Sequence, residues 1–386
     1  MAPFAISLEP AGDPETVGVL WRDLERRAQP SFFLSWFWVG SWLRVLPDGH
    51  DARLLTVRRD GMVVGLGVFV FGHHGLLSVL GGRQAHLHET GDPAVDVATI
   101  EDNGLLVDRR FAGDVEAAAL LWLTDGEQKI DRLTLGGIPP ALAGVTGEAA
   151  SRRHLLCDIR NDSPRPYVDL DHVRRQGGNY LACLSANTRQ TIRRSMRLYE
   201  LRGPIEFRIA ATIGEAEGFV GRLEALHQAY WTSRGKPGAF SFPMFRRLHD
   251  DLVRRAFPAG AVRLCSVAAG GLEIGYLYDF AWRGRVYAYQ SGFRYEGDNR
   301  HKPGLVSHCL AVEEALSRGD SVYDFMAGNR QHKTSLSTHQ ERLYWVVLRR
   351  PTTAARIRRQ LNRLRGRPEA SLPKPAGPAD AAAGYC

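Results

Sequence analysis

The sequence predicts an α/β protein built from two units of similar plan. A chain of 386 residues is long enough for two hydrophobic cores. With 44% apolar and 24% charged residues, its composition is that of a folded globular protein rather than a disordered one. The two halves also run through one order of elements: helices, a hairpin, a strand, a long loop, a helix and a strand. That order points to a duplicated fold, although no sequence repeat accompanies it.

In the first half, residues 16–28 read as a helix. Residues 32–46 read as a second, aromatic one carrying Phe32, Phe33, Trp36, Phe37, Trp38 and Trp42. Residues 54–57 and 62–71 form a hairpin about Arg59-Asp60-Gly61, since Asp-Gly between apolar runs is a strong turn signal. A strand at 76–80, a polar loop at 81–103, a helix at 111–124 and strands at 130–135 and 155–159 follow. Asn161-Asp162-Ser163-Pro164-Arg165-Pro166 is rich in turn formers and marks the boundary. The domains are therefore 1–165 and 166–350. A basic helix over 351–367 comes next, then a low-complexity tail over 368–386 whose composition predicts disorder.

The second half opens with a short strand at 167–170 and a basic helix at 184–201. A strand at 205–209 and helices at 212–232 and 242–256 lead to a hairpin, 262–268 with 271–282, about Ala269-Gly270. The β-branched and aromatic run 286–293 is a strand. Residues 304–318 form a helix, with Leu305, Cys309, Val312 and Leu316 at helical spacing and Gly319 as its stop. Strand 321–325, the polar segment 326–333 and a last strand at 344–348 close the domain.

No apolar run reaches the 18–20 or so residues that span a bilayer, and the first residues lack the plan of a signal peptide. The expected location is the cytoplasm. Five scattered cysteines without a C-x-x-C pair argue for reduced thiols and against a zinc site. His86, His88 and Glu89 lack a third metal ligand at recognisable spacing, so no metal is expected. His73-His74-Gly75 lacks the Asp of a condensation motif, and no Gly-x-Ser-x-Gly elbow supports a hydrolase. The net charge of +8 favours anionic partners: a phosphate-bearing cofactor, nucleic acid or a membrane face. Arg189, Arg193, Arg194 and Arg197 share one helix. In 352–364, Ile357, Leu361 and Leu364 lie on one face among arginines, a pattern open to peripheral membrane contact or to packing on the domain.

The most informative stretch is 286–333. Its loop carries Arg294, Arg300, His301 and Lys302 just before a helix N-terminus, where free N–H groups and the helix dipole favour anions. That is a way to hold a pyrophosphate without a Walker loop. Arg300, His301 and Lys302 are the candidates, with Gly304 letting backbone approach the anion; an exposed cationic loop is the alternative.

Four pieces in order resemble the GNAT acyltransferase superfamily, and within it the CelD-type cellulose-biosynthesis acetyltransferases, relatives of the Fem aminoacyltransferases. They are Asn187-Thr188-Arg189-Gln190-Thr191-Ile192-Arg193-Arg194; His227 through Trp231 to Gly235; Tyr289-Gln290-Ser291-Gly292-Phe293 running on to Pro303-Gly304-Leu305; and Gly319 through Tyr323-Asp324-Phe325 to Lys333. They cover roughly 180–350. The aromatic start Ser31-Phe32-Phe33-Leu34-Ser35 also resembles the family. The superfamily's Q/R-x-x-G-x-G/A signature is absent, and Arg300-His301-Lys302-Pro303-Gly304 stands in its place.

The resemblance implies tandem GNAT-like domains, each a mixed, mostly antiparallel sheet flanked by helices. The first would shape the acceptor cleft and the second would catalyse. It implies transfer of an acyl group, acetyl in the first instance, from acyl-CoA to an amine of a small molecule or glycan precursor, with no metal. The thioester carbonyl would meet backbone N–H groups over Tyr289, Gln290, Ser291 and Gly292, where Gly292 permits a bulge or a close backbone approach. Gln290 would join the cofactor site. Asp324 is either a general base or a carboxylate anchoring the next loop, and Lys333 would neutralise developing charge. His227, Trp231 and Arg234 share a helix face and, with Tyr323, would line an acceptor pocket; a core-facing Trp is the alternative. Two rivals follow: a Fem-like transferase taking aminoacyl-tRNA on the basic helix, and a non-catalytic protein that binds an anionic glycan or RNA.

Overall fold

The computed structural model describes residues 4–72 and 82–351. The strand expected at 76–80, the His73-His74-Gly75 motif, and the helix and tail expected beyond 351 lie outside these residues. The chain forms two compact units: Met1–Asp162 with Arg342–Cys386, and Ser163–Glu341.

The first unit begins with a strand the sequence reading missed, β1 (Ala5–Pro10), paired antiparallel with β2 (Asp51–Arg59). Helix α1 (Pro14–Glu25) starts where Asp13 accepts the Thr16 N–H and Pro14 fills the first helical position. The aromatic helix is shorter than expected. Phe32–Leu34 form a 3-10 turn, and Ser35, fully buried, caps α2 (Trp36–Val45). The hairpin of β2 with β3 (Met62–Gly72) forms about Asp60 and Gly61, both at positive φ.

The polar loop 81–103 contains β4 (Gln84–Leu87), antiparallel to β3, and β5 (Leu106–Val107) also pairs with β3. Helix α3 (Ala112–Leu123) leads to β6 (Arg132–Ile138), which runs parallel to β4. A helix missed in the sequence, α4 (Pro140–Arg152), follows. His88 is no metal ligand. Its Nε2 accepts the Val68 N–H at 3.0 Å, and Nδ1 pairs with Asn103 Oδ1 at 2.9 Å. Burial lowers its pKa to about 4, so it stays neutral. No cluster of three His, Cys, Asp or Glu side chains able to hold a metal exists among the described residues.

The expected boundary turn is instead part of a strand, β7 (Leu156–Asp169), which leaves the first unit at Asp162 and enters the second at Ser163. The second unit continues with α5 (Leu170–Arg175), where a strand end was expected, then α6 (Ala186–Glu200), β8 (Ile205–Ile209) and α7 (Ile213–Thr232). Next come α8 (Pro243–Ala256), β9 (Val262–Ala269), β10 (Leu272–Trp282) and β11 (Arg285–Phe293). Helix α9 (Pro303–Ser317) crosses to β12 (Val322–Asp324), and α10 (Gln331–Leu336) occupies part of the expected polar segment.

The sheet order of this unit is β7-β12-β11-β10-β9-β8, with only β11 and β12 parallel. One face packs its core against α9: Leu277, Val286, Cys309, Val312, Tyr323 and Phe325. The last strand, β13 (His339–Arg349), returns to the first unit from Arg342 and pairs antiparallel with β6. Val346 and Leu348 join that unit's core, so the closing strand belongs with the first half of the chain. No helix among the described residues is long and apolar enough to cross a membrane.

Candidate active site

The site begins where β11 and β12 part. Their parallel pairing runs only through Arg285↔Val322, Val286↔Tyr323 and Tyr287↔Asp324. β12 ends there, while β11 continues to Phe293, so a gap opens between their carboxyl ends. Beside it β11 bulges: Tyr278 pairs with Gln290 but Asp279 with Ala288, leaving Tyr289 as the extra residue. A bulge turns backbone groups out of the ladder. The expected backbone deformation thus exists, three residues before Gly292.

Gly292 serves the other purpose foreseen for it. A Cβ there would lie 2.4 Å from the Leu223 carbonyl oxygen, so the glycine lets α7 press its backbone onto the strand. The Tyr289 ring packs away among aromatics, 5.1 Å from His249 and 4.7 Å from Phe280. Gln290 and Ser291 are half-buried, and the Ser291 N–H donates to Gln290 Oε1 at 3.3 Å.

At the end of the gap stands the N-terminus of α9. Pro303 occupies its first position, and the amides of Gly304 and Leu305 have no acceptor among the described residues. The Lys302 amide is already used, donating to Ser195 Oγ on α6 at 2.8 Å, while the Lys302 side chain is exposed. Gly304 also lets the Phe293 ring pack close, since a Cβ would meet it at 3.2 Å.

The other two cations depart from expectation. Arg300 is clasped to Asp298, with Nη2 2.7 Å from Oδ2. His301 lies against Tyr199, ring centroids 4.9 Å apart, its Nε2 3.2 Å from Arg202. Neither side chain is a free anion ligand. Sequence reasoning overlooked that α6 flanks this spot. Its Arg193, Arg194 and Arg197 are exposed and have no carboxylate partner among the described residues.

Asp324 takes the anchoring role rather than that of a base. It is 0% exposed, with Arg165 Nε at 2.7 Å, Arg285 at 2.9 Å, and the Met326 N–H donating to Oδ1 at 2.8 Å. Burial pushes its pKa up, but the two guanidinium groups and that amide outweigh burial and hold it below the usual carboxylate range. A carboxylate so held is a poor proton acceptor. Lys333 is likewise engaged, its Nζ donating to the carbonyls of Met326 and Ala327 at 3.2 and 2.9 Å. It fixes the loop that follows β12.

His227 is buried. Its Nε2 accepts the Trp231 indole N–H at 2.9 Å, and Nδ1 lies 3.1 Å from Gln228 Oε1; burial lowers its pKa. It orients Trp231, which is half-buried rather than core. Lys236 and Arg330 stand 5.6 and 5.3 Å from the Trp231 ring, and Arg234 lies 3.7 Å over Tyr230, which itself meets Tyr295 at 4.9 Å. These aromatics and cations gather the end of α7, the loop after β11 and the loop after β12.

Tyr323 lines no acceptor pocket. It is fully buried, its hydroxyl 3.3 Å from Asp279 Oδ2 and 3.2 Å from His308 Nδ1. Sequence reasoning did not single out Asp279 or His308. Asp279 is 2% exposed and lies across from the bulge, and its Oδ1 has no partner among the described residues.

Residues 186–334 match the family described as acetyltransferase (GNAT) domain. No curated protein matches this chain. Among solved structures, FemX matches with a TM-score of 0.58 at 11% identity, covering 90% of this chain and 98% of FemX. The C-terminal domain of a putative lysylphosphatidylglycerol synthetase from Agrobacterium fabrum matches at 0.54 and 11%, covering 91% and 97%. The structure of L-PGS from Bacillus licheniformis matches at 0.52 and 10%, covering 94% and 99%. At these identities the likeness is one of fold. The sequence match lies wholly within the second unit, spans the bulge and α9, and supports an acyltransferase activity for that unit.

Proposed function

We propose that the second unit moves an acyl group, acetyl in the first instance, from acyl-CoA to a primary amine by direct attack. The observation that carries this is the gap between β11 and β12. It has a bulged strand on one side and an uncapped helix N-terminus with Lys302 at its end. The pyrophosphate of the donor would meet the Gly304 and Leu305 amides and the Lys302 ammonium. The thioester carbonyl would lie along the bulged stretch, where outward-turned amides favour the developing oxyanion. The amine would enter past Trp231, with Arg234, Lys236 and Arg330 favouring an anionic acceptor such as a phosphorylated glycan precursor. The acetyltransferase-domain match weighs against the non-catalytic alternative.

Titration calorimetry with acetyl-CoA tests the donor site. Saturable binding is expected, weakened about tenfold by Lys302→Ala, the loss of one charge-assisted contact. Arg300→Ala should change affinity far less, because Asp298 already occupies that guanidinium. No heat with any CoA ester would sink the reading.

A second reading, aminoacyl transfer from a charged tRNA, is favoured by the free arginines of α6. It predicts tRNA binding whose affinity falls linearly with log salt, with the slope reduced by about one for each of Arg193, Arg194 or Arg197 removed.

A further inference from the structure

Acyl transfer to an amine releases a proton, and Asp324, the carboxylate the sequence offered for it, is locked between Arg165 and Arg285. The same unit holds another route. His308 sits in the second turn of α9. Its ring lies 5.8 Å from Phe293, the last residue of β11, and 5.6 Å from Phe325, the first beyond β12. It therefore stands between the parting strand ends. Its Nδ1 is 3.2 Å from the Tyr323 hydroxyl, which is 3.3 Å from Asp279 Oδ2, while its Nε2 has no partner among the described residues.

We propose that His308, Tyr323 and Asp279 form a proton relay that receives the proton of the attacking amine. This rests on the acyl-transfer reading above. With Asp279 ionised, Tyr323 donates to it and His308 Nδ1–H donates to Tyr323, which leaves the Nε2 lone pair as the acceptor at the other end of the chain. As the amine nitrogen bonds to the thioester carbon, its N–H proton passes to His308 Nε2. The Nδ1 proton passes to the Tyr323 oxygen, and the Tyr323 proton passes to Asp279. The carbon–sulfur bond then breaks and the CoA thiolate departs. One proton has moved from the amine to Asp279, and the ring and the phenol end neutral. The proton returns by the reverse path once product leaves.

The environments agree with that bookkeeping. Burial lowers the His308 pKa to about 3, with His332 and Lys333 adding to it, so a lasting imidazolium is disfavoured. Burial raises Asp279 to about 7, against the opposing pull of its Tyr323 hydrogen bond and of Arg263. The groups facing Asp279 are Arg263 and Cys265 of β9 and Tyr323 of β12; Arg263 is itself tied to Asp320. The relay thus ends on a group able to hold a proton near neutral pH.

Two measurements test it. The first is steady-state transfer from acetyl-CoA to glucosamine, lysine or hydroxylamine, read as thiol release. Asp279→Asn, Tyr323→Phe and His308→Gln are each expected to lower kcat by about 100-fold or more with acetyl-CoA affinity unchanged. The wild-type rate should rise with pH through about 7 as Asp279 ionises, and that limb should vanish in Asp279→Asn. Retention of kcat and of the limb in folded variants, checked by thermal melting, overturns the relay.

The second is nitrogen NMR of the unliganded protein, which needs no turnover. The relay requires the Nδ1–H tautomer of His308 and a shift of its ring signals as Asp279 titrates. An Nε2–H tautomer overturns it. Should the wild type acylate none of the amines, the functional reading fails by itself, and the NMR result alone then decides the hydrogen-bonded chain.

Discussion

Replacing Arg165 with methionine is expected to lower the melting temperature by about 10 °C, through loss of a buried charge partner worth about 3–5 kcal/mol. Arg165 is 2% exposed and grips Asp324 with Nε and Nη2. Its removal leaves a carboxylate without water and with Arg285 as its remaining cation. The pH dependence has a definite sign. In the wild type the folded-state pKa of Asp324 is depressed, so its contribution is present above the unfolded pKa and is lost as pH falls through the folded one. In the variant, burial is less opposed and the carboxyl titrates higher. The difference between the proteins should therefore be largest at neutral pH and shrink toward pH 4. Calorimetric melts at pH 4 and 7 check this. The double variant Arg165→Met with Asp324→Asn should recover part of the loss, since neither charge is then stranded. Equal melting of wild type and Arg165→Met at pH 7 would refute the account.

Gly292→Ala is expected to reduce the proposed acyl transfer about 10- to 100-fold while costing only about 1–3 kcal/mol of stability. The added methyl would sit 2.4 Å from the Leu223 oxygen and 3.1 Å from its carbonyl carbon, backbone atoms that no side-chain rotation can clear. Helix α7 must move off β11, and it carries His227 and Trp231 one and two turns further on. Displacements of that size are costly where reactants must align. Gly297→Ala is the matched control: a Cβ there meets nothing within 4 Å. Transfer rates and melting curves of the two alanine variants separate an effect on alignment from one on folding. A Gly292→Ala protein with unchanged rate would show that α7 does not position the acceptor.

Much of the architecture was legible because each element carries a local signal. The Asp60-Gly61 and Ala269-Gly270 turns, the long α7 and the crossover helix α9 formed where pattern and punctuation placed them. The failures have physical causes. The missed helix α4 opens on Pro140 at its first helical position, where a missing N–H costs nothing. Pro164 and Pro166 read as a boundary, yet both lie within β7. There they supply carbonyls alone, to the amides of Gly328 and Phe325, so the lost donors are not needed.

The site was legible in outline only. The loop before α9 and the bulge region declared themselves, and the Asp298 that engages Arg300 stood two residues upstream in plain view. The partner of Asp324, by contrast, lies 159 residues away, and Asp279, His308 and Tyr323 meet only through sheet register and the crossover. No periodicity encodes such a meeting.

The return of β13 to the first unit has a consequence for biosynthesis. Ile138 on β6 pairs with Tyr344, so a ribosome adding about 5–20 residues per second needs some 10–40 s to deliver the partner strand. Throughout that interval the emerged β6 presents an unfilled flank of amides and carbonyls, the kind of template on which nascent chains associate wrongly. Yield in a heterologous host should therefore respond to chaperone supply and to growth temperature, even though the finished fold conceals that flank.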